Sequence, residues 1–275
     1  VPLLVFEVAC VAVVLLALAA MARRRPPADL LTDYAALAVA GWIGEETCVV
    51  LYDYYHYAMG WHVRLDRVPI LVPLIWPLVI LSAREVAACV WPRIERLRPL
   101  VVFAIVAFDA SLVEVIAVRA GLWSWVDAGH LGVPIIGILG WGYFAIGADL
   151  ALSGRLSSGD GRLRRALATI VAAPLVAHAL IQITWWGFFR WAQRDALGVA
   201  SLWGLSVIGV FVLASVVFAR RRGGGIPLSV ALPRMVAAGL FFVLLVSTAP
   251  AELPLWHHTA IVAVPYFAAT ELSTR

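Results

Sequence analysis

Leu3 to Ala22 reads LLVFEVACVAVVLLALAAMA, and apolar stretches of this length recur along the whole chain. A helix needs about 20 such residues to cross the hydrocarbon core of a bilayer. Inside lipid, backbone polar groups are satisfied only within helices or closed barrels. Candidate spans fall at 3–22, 30–52, 68–90, 99–120, 132–152, 166–188, 198–219, 227–247 and 255–270, the last one short. The chain therefore reads as all-α, a polytopic integral membrane bundle of about nine transmembrane helices, with residues 1–275 forming one domain. Its 63% hydrophobic and 14% charged residues lie far from the usage of soluble domains.

All 21 basic residues are arginine. They gather as Arg23 to Arg25, as Arg93, Arg96 and Arg98, as Arg155, Arg162, Arg164 and Arg165, and as Arg220 to Arg222, in every second connection. The alternate loops at 53–67, 121–131, 189–197 and 248–254 carry few arginines and many aromatic or acidic residues. The positive-inside rule then predicts an N-out, C-in topology, and the expected location is a bacterial inner (cytoplasmic) membrane. Arginines spaced as topology signals do not form a phosphate-binding stripe, so no nucleic-acid partner is expected. The first run has arginines after it and none before it, which reads as a retained span and not a secretory signal. Cys10, Cys48 and Cys89 show no C-x-x-C spacing.

A charge inside a span costs about 2.5–3.5 kcal/mol on insertion scales, so intramembrane acids mark functional candidates. Glu45 and Glu46 lie in the outer half of the second span, Asp109 and Glu114 in the fourth, and His178 in the middle of the sixth. Helical geometry turns successive residues about 100° apart, so only one of Glu45 and Glu46 can face a given cavity squarely. His178, Gln182 and Trp185 form one stripe along the sixth span. His56, His62, His257 and His258 lack a repeated metal-binding spacing, and no H-E-x-x-H, P-loop or G-x-S-x-G motif occurs. Neither a metal nor another cofactor is expected.

Two stretches resemble the carotenoid biosynthesis membrane-protein family that includes the cofactor-independent carotenoid 1,2-hydratases and bisanhydrobacterioruberin hydratase. The first runs from Glu45 and Glu46 through Tyr55, Tyr57 and Gly60 to Val68, Pro69, Pro73 and Trp76, similar to a glutamate, a tyrosine pair, a glycine and V-P-x-x-x-P-x-x-W. The second joins Asp109 to Gly121-Leu-Trp123-Ser-Trp125 and to Gly132-Val-Pro134 ahead of Gly140-Trp141, similar to G-x-W-x-W and G-V-P before G-W. Ala110 stands where the family has proline, and the family's T-G-x-P-F-G-x-Y is here Thr47-Cys-Val-Val-Leu-Tyr-Asp-Tyr54.

The resemblance implies an apolar carotenoid or related isoprenoid as substrate, drawn from among the membrane lipids. Hydrating an isolated alkene requires a proton delivered to carbon, a tertiary cation and then water. A buried carboxylic acid can supply the proton, and a second carboxylate or a histidine can accept one from the water. Glu45, Glu46, Asp109, Glu114 and His178 are the catalytic candidates, with Asp109 and one of Glu45 or Glu46 as the expected pair. Trp42, Tyr52, Tyr55, Trp76, Trp123, Trp125, Trp141, Gln182 and Trp185 are the candidate substrate-binding residues, aromatic faces being suited to a cation. The same residues would serve a protonation-initiated cyclase or isomerase. A lipid or small-solute transporter or binding protein is the reading from a different class.

Overall fold

The computed structural model describes residues 2–91, 95–127, 129–156, 161–192 and 225–271. Its long helices are α1 (Leu3–Ala22), α2 (Pro27–Glu46), α3 (Leu71–Val90), α4 (Arg98–Arg119), α5 (Ile135–Leu152), α6 (Arg162–Thr184), α7 (Leu228–Thr248) and α8 (Leu253–Ala269). Among the described residues seven helices, α1 to α7, are long and apolar enough to cross a membrane, and α8 is shorter. The expected span at 198–219 lies outside the described residues, as does the cluster Arg220 to Arg222.

Pro27 and Pro99 open α2 and α4, where a missing N–H costs nothing. Pro77, Pro174 and Pro233 lie inside α3, α6 and α7, as helices packed within a membrane tolerate. A π-helical turn, Thr47–Leu51, prolongs α2 to almost the end expected for the second span, and another, Trp185–Phe189, prolongs α6.

Helices α2, α3, α4, α5 and α6 each pack on the next, and α6 returns to α2, making a ring of five. Small residues bring the ring together. A Cβ added to Gly147 of α5 would lie 2.7 Å from the backbone oxygen of Ala172 in α6, so that crossing needs glycine. Outside the ring, α1 and α7 pack on each other and on α3, while α8 lies against α4. The outward faces stay apolar: Leu15 and Leu16 of α1 are each 62% exposed. Surfaces of that kind belong in lipid.

The two ends of the bundle differ. At one end the arginine clusters meet acids from the helix termini: Arg24 with Glu85, Arg25 and Arg165 with Asp33, and Arg162 with Asp29. Fully buried Asp149 sits between Arg84 at 2.9 Å and Arg98 at 3.1 Å. At the other end, β1 (Tyr55–Tyr57) and β4 (Trp123–Trp125) form a short antiparallel ribbon; β2 (Arg64–Leu65) and β3 (Val68–Pro69) form a second hairpin nearby. Asp53, with φ 54, turns the chain from the π-helical turn into β1. His62 holds the same loop to α1, its Nδ1 2.6 Å and its backbone N–H 2.9 Å from the Glu7 carboxylate.

Candidate active site

The ribbon pairs Tyr55 with Trp125, His56 with Ser124 and Tyr57 with Trp123. Side chains alternate along a strand, so Tyr55, Tyr57, Trp123 and Trp125 turn to one face, toward the bundle, and His56 and Ser124 to the other. Backbone bonds from Val126 to Tyr54 and from Ala58 to Leu122 continue the pairing past both ends of the ribbon. The Trp61 indole, donating to the Leu122 carbonyl, adds a side-chain tie.

Beneath the ribbon lie two buried carboxyl groups, Glu45 near the end of α2 and Glu114 near the end of α4. Tyr55 and Tyr57 donate to Oε2 of Glu45, the latter at 2.5 Å, and Trp76 of α3 donates to Oε1 at 2.7 Å. Trp123 and Trp125 donate to Oε2 of Glu114 at 2.9 and 3.0 Å, and Trp141 of α5 donates to Oε1 at 2.8 Å. Each carboxyl thus holds three neutral donors, two from the ribbon and one from a helix. Among the described residues neither makes an ion pair.

The two sets of donors also pack together. Trp76 and Trp141 have ring centroids 4.8 Å apart, and Tyr55 and Trp125 4.7 Å. A hydrogen bond to a charged group contributes about 1.5–3 kcal/mol, so three can offset much of the cost of burying a carboxylate without a counter-ion. The phenols of Tyr55 and Tyr57 are held well above their usual range near 10, by burial first and by Glu45 second.

Both carboxyls line a cavity of about 360 Å³ inside the helical ring and under α1 and α7. Its lining on α1 runs from Phe6 to Met21, about 22 Å at 1.5 Å per residue. The shape is long and mostly apolar, and the ribbon covers the end where the carboxyls sit. Glycines make room for the indoles: a Cβ on Gly41 would stand 2.9 Å from Trp76, and one on Gly137 2.5 Å from Trp125.

Of the residues singled out from sequence, Glu45, Asp109, Glu114, His178, Tyr55, Trp76, Trp123, Trp125 and Trp141 line this cavity. Asp109, the acid expected to pair with Glu45 or Glu46, has an arginine for its partner. It lies five residues from Glu114, about 7.5 Å along α4, in an ion pair with Arg234 of α7, which also donates to Ser82 at 2.5 Å. The carboxyl that accompanies Glu45 at the covered end is Glu114.

Glu46 is off the lining, beside Asp66 and Arg67 of the second hairpin. Trp42 is off it too, donating to the Leu65 carbonyl at 3.3 Å. Tyr52 packs edge-on against His178, Gln182 donates to the Tyr54 hydroxyl at 3.3 Å, and Trp185 is buried behind the wall. His178 itself lines the cavity, and among the described residues neither of its ring nitrogens has a hydrogen-bond partner.

Tyr57 and Arg234 carry weight that the reading of single spans did not assign to them. Tyr57 is two residues from Tyr55, the spacing that shares a strand face. Arg234 is an arginine well inside a span, costly in the same way as the acids that were singled out. Among the described residues no three potential metal ligands converge. Compared with family models, with curated proteins and with solved structures, the chain matches none.

Proposed function

We propose that the protein is a membrane enzyme of carotenoid or related isoprenoid metabolism that protonates an alkene of an apolar polyene and adds water, without a cofactor. The observation that carries this reading is the pair Glu45 and Glu114, two buried carboxyls with neutral donors and, among the described residues, no counter-ion, at the covered end of a long apolar cavity. An apolar chain fills such a cavity and brings its end to the acids. The tryptophan and tyrosine faces there stabilise a developing cation. His178, on the same wall with both ring nitrogens unbonded among the described residues, is able to hold the attacking water.

The residues that carry the family resemblance support the same reading. Tyr55, Tyr57, Trp76, Trp123, Trp125 and Trp141 are the six donors around the two carboxyls. The run at 198–219 completes nine spans in this proposal. The arginine-rich end faces the cytoplasm and the acids face outward in a bacterial cytoplasmic membrane.

Expression in a lycopene-producing host tests the activity. The expected product is heavier by one water, and Glu45→Gln and Glu114→Gln each abolish it. A product of unchanged mass would replace hydration with cyclisation or isomerisation at the same acids. No product from any acyclic polyene, with solute uptake into vesicles instead, would replace the enzyme with a transporter.

A further inference from the structure

The two carboxyl cages differ in one chemical respect. An indole N–H only donates, whereas a phenol O–H can donate or accept. Around Glu114 all three partners among the described residues are indoles, two of them on Oε2 and one on Oε1. A proton added to Glu114 finds no acceptor among them, so the cage is complete only around the anion. Around Glu45 two of the three partners are phenols, both at Oε2. If Glu45 carries a proton on Oε2, a rotated tyrosine hydroxyl can accept it while Trp76 still donates to Oε1. The Glu45 cage is therefore satisfied in either protonation state.

We propose that Glu114 is a fixed anion and Glu45 the proton carrier, so that the covered end of the cavity is a binding site for a cationic centre at the tip of an apolar chain. The catalytic consequence rests on the alkene chemistry proposed above; the binding site does not. In that chemistry the Glu45 O–H bond breaks and its proton forms a C–H bond at one alkene carbon, leaving a tertiary cation at the other. The cation sits between the Glu114 carboxylate and the aromatic faces. Water forms the C–O bond, and the proton it releases goes to the Glu45 carboxylate, while Glu114 stays an anion throughout. This restores the site, and the net change is the addition of one water. Asp109 does not duplicate Glu114, because Arg234 already neutralises it.

Two measurements on the purified protein in detergent test this without any turnover. The first compares binding of N,N-dimethyldodecylamine, protonated at neutral pH, with binding of dodecanol. The amine is expected to bind at least about tenfold tighter, the scale of a desolvated cation–π contact alone. Glu114→Gln is expected to remove the preference and Glu45→Gln to keep it. Equal binding of amine and alcohol to the wild type would overturn the cation site.

The second is infrared difference spectroscopy on hydrogen–deuterium exchange. A protonated carboxyl band is expected in the wild type, absent in Glu45→Gln and shifted in Glu45→Asp, which serves if the glutamine variant does not fold. A band that instead vanishes in Glu114→Gln and persists in the Glu45 variants would reverse the assignment. Tight amine binding with a Glu45 band but no hydrated product would leave the site standing and remove only the hydratase reading.

Discussion

The arginine end and the ribbon end of the bundle both bury acids, and they do so by opposite means. Asp149 is enclosed by Arg84 and Arg98, and Asp33 by Arg25 and Arg165. Glu45 and Glu114 are enclosed by tyrosines and tryptophans. An acid between arginines has two counter-ions of its own, and removing it would strand two cations. Its role is to fasten helix ends. An acid among neutral donors either holds a proton, as proposed for Glu45, or keeps a charge that its partners do not cancel, as proposed for Glu114, and either is available to a substrate. Asp109 with Arg234 lies between the two ends in position and follows the arginine end in kind.

Removing one acid from each end has the largest expected effects. Glu45→Gln keeps the shape of the cage and removes its exchangeable proton, and loss of a general acid typically costs about 10²–10⁴-fold in rate. Its thermal unfolding midpoint in detergent is expected to change little. Asp149→Asn leaves two part-buried guanidiniums facing a neutral amide, and breaking a pair in this way costs up to about 3–5 kcal/mol. That variant is expected to lose stability while any folded fraction keeps its full specific activity. If Asp149→Asn lowers specific activity and Glu45→Gln lowers only stability, the division between the two ends is mistaken.

The bundle was legible in the sequence because lipid imposes a length and an apolarity that a single run displays without help from the rest of the chain. Helix ends shifted only slightly, as where a π-helical turn carries α2 to Leu51. The acids were legible for the same reason, each being costly where it stands. Their partners were not. Glu45 is served by residues 10, 12 and 31 positions away, and Glu114 by residues 9, 11 and 27 positions away. Those groupings depend on pairing of β1 with β4, and Tyr-His-Tyr and Trp-Ser-Trp are too short to declare a strand partner. Pairing Asp109 with Glu45 or Glu46 followed from their similar depth in the membrane, and depth does not reveal that Arg234 holds Asp109.

A smaller effect separates the ribbon end's packing from its charge. Trp125 reaches Glu114 only because Gly137 lacks a side chain, its Cζ2 lying 2.5 Å from where a Cβ would stand. Gly137→Ala is expected to push the indole away, costing about 1–3 kcal/mol by overpacking and weakening one of the three bonds to Glu114. Gly140→Ala, on the same helix and also lining the cavity, would meet nothing closer than Ile181 Cδ1 at 3.4 Å. It is expected to match the wild type or gain up to about 1 kcal/mol from helix propensity. Unfolding midpoints together with tryptophan fluorescence would separate the two, and equal behaviour would mean that the indole is not pinned by that contact.

The smallest expected effect is a pH dependence belonging to the ribbon. Tyr55 and Tyr57 keep their protons well above 10 in the folded protein, chiefly because they are buried. In the unfolded chain the same phenols ionise near pH 10. The folded state then binds more protons than the unfolded one, so stability falls as pH rises beyond that point. Below it both states hold the protons and these groups contribute no slope. The unfolding midpoint of the wild type is therefore expected to be level from pH 8 to about pH 10 with respect to these tyrosines and to decline above it. The double variant Tyr55→Phe and Tyr57→Phe is expected to start lower, having lost two bonds to Glu45, and to decline less steeply. Parallel alkaline slopes in the two proteins would show that the hydroxyls beneath the ribbon are open to solvent, and that the covered end of the cavity is not sealed.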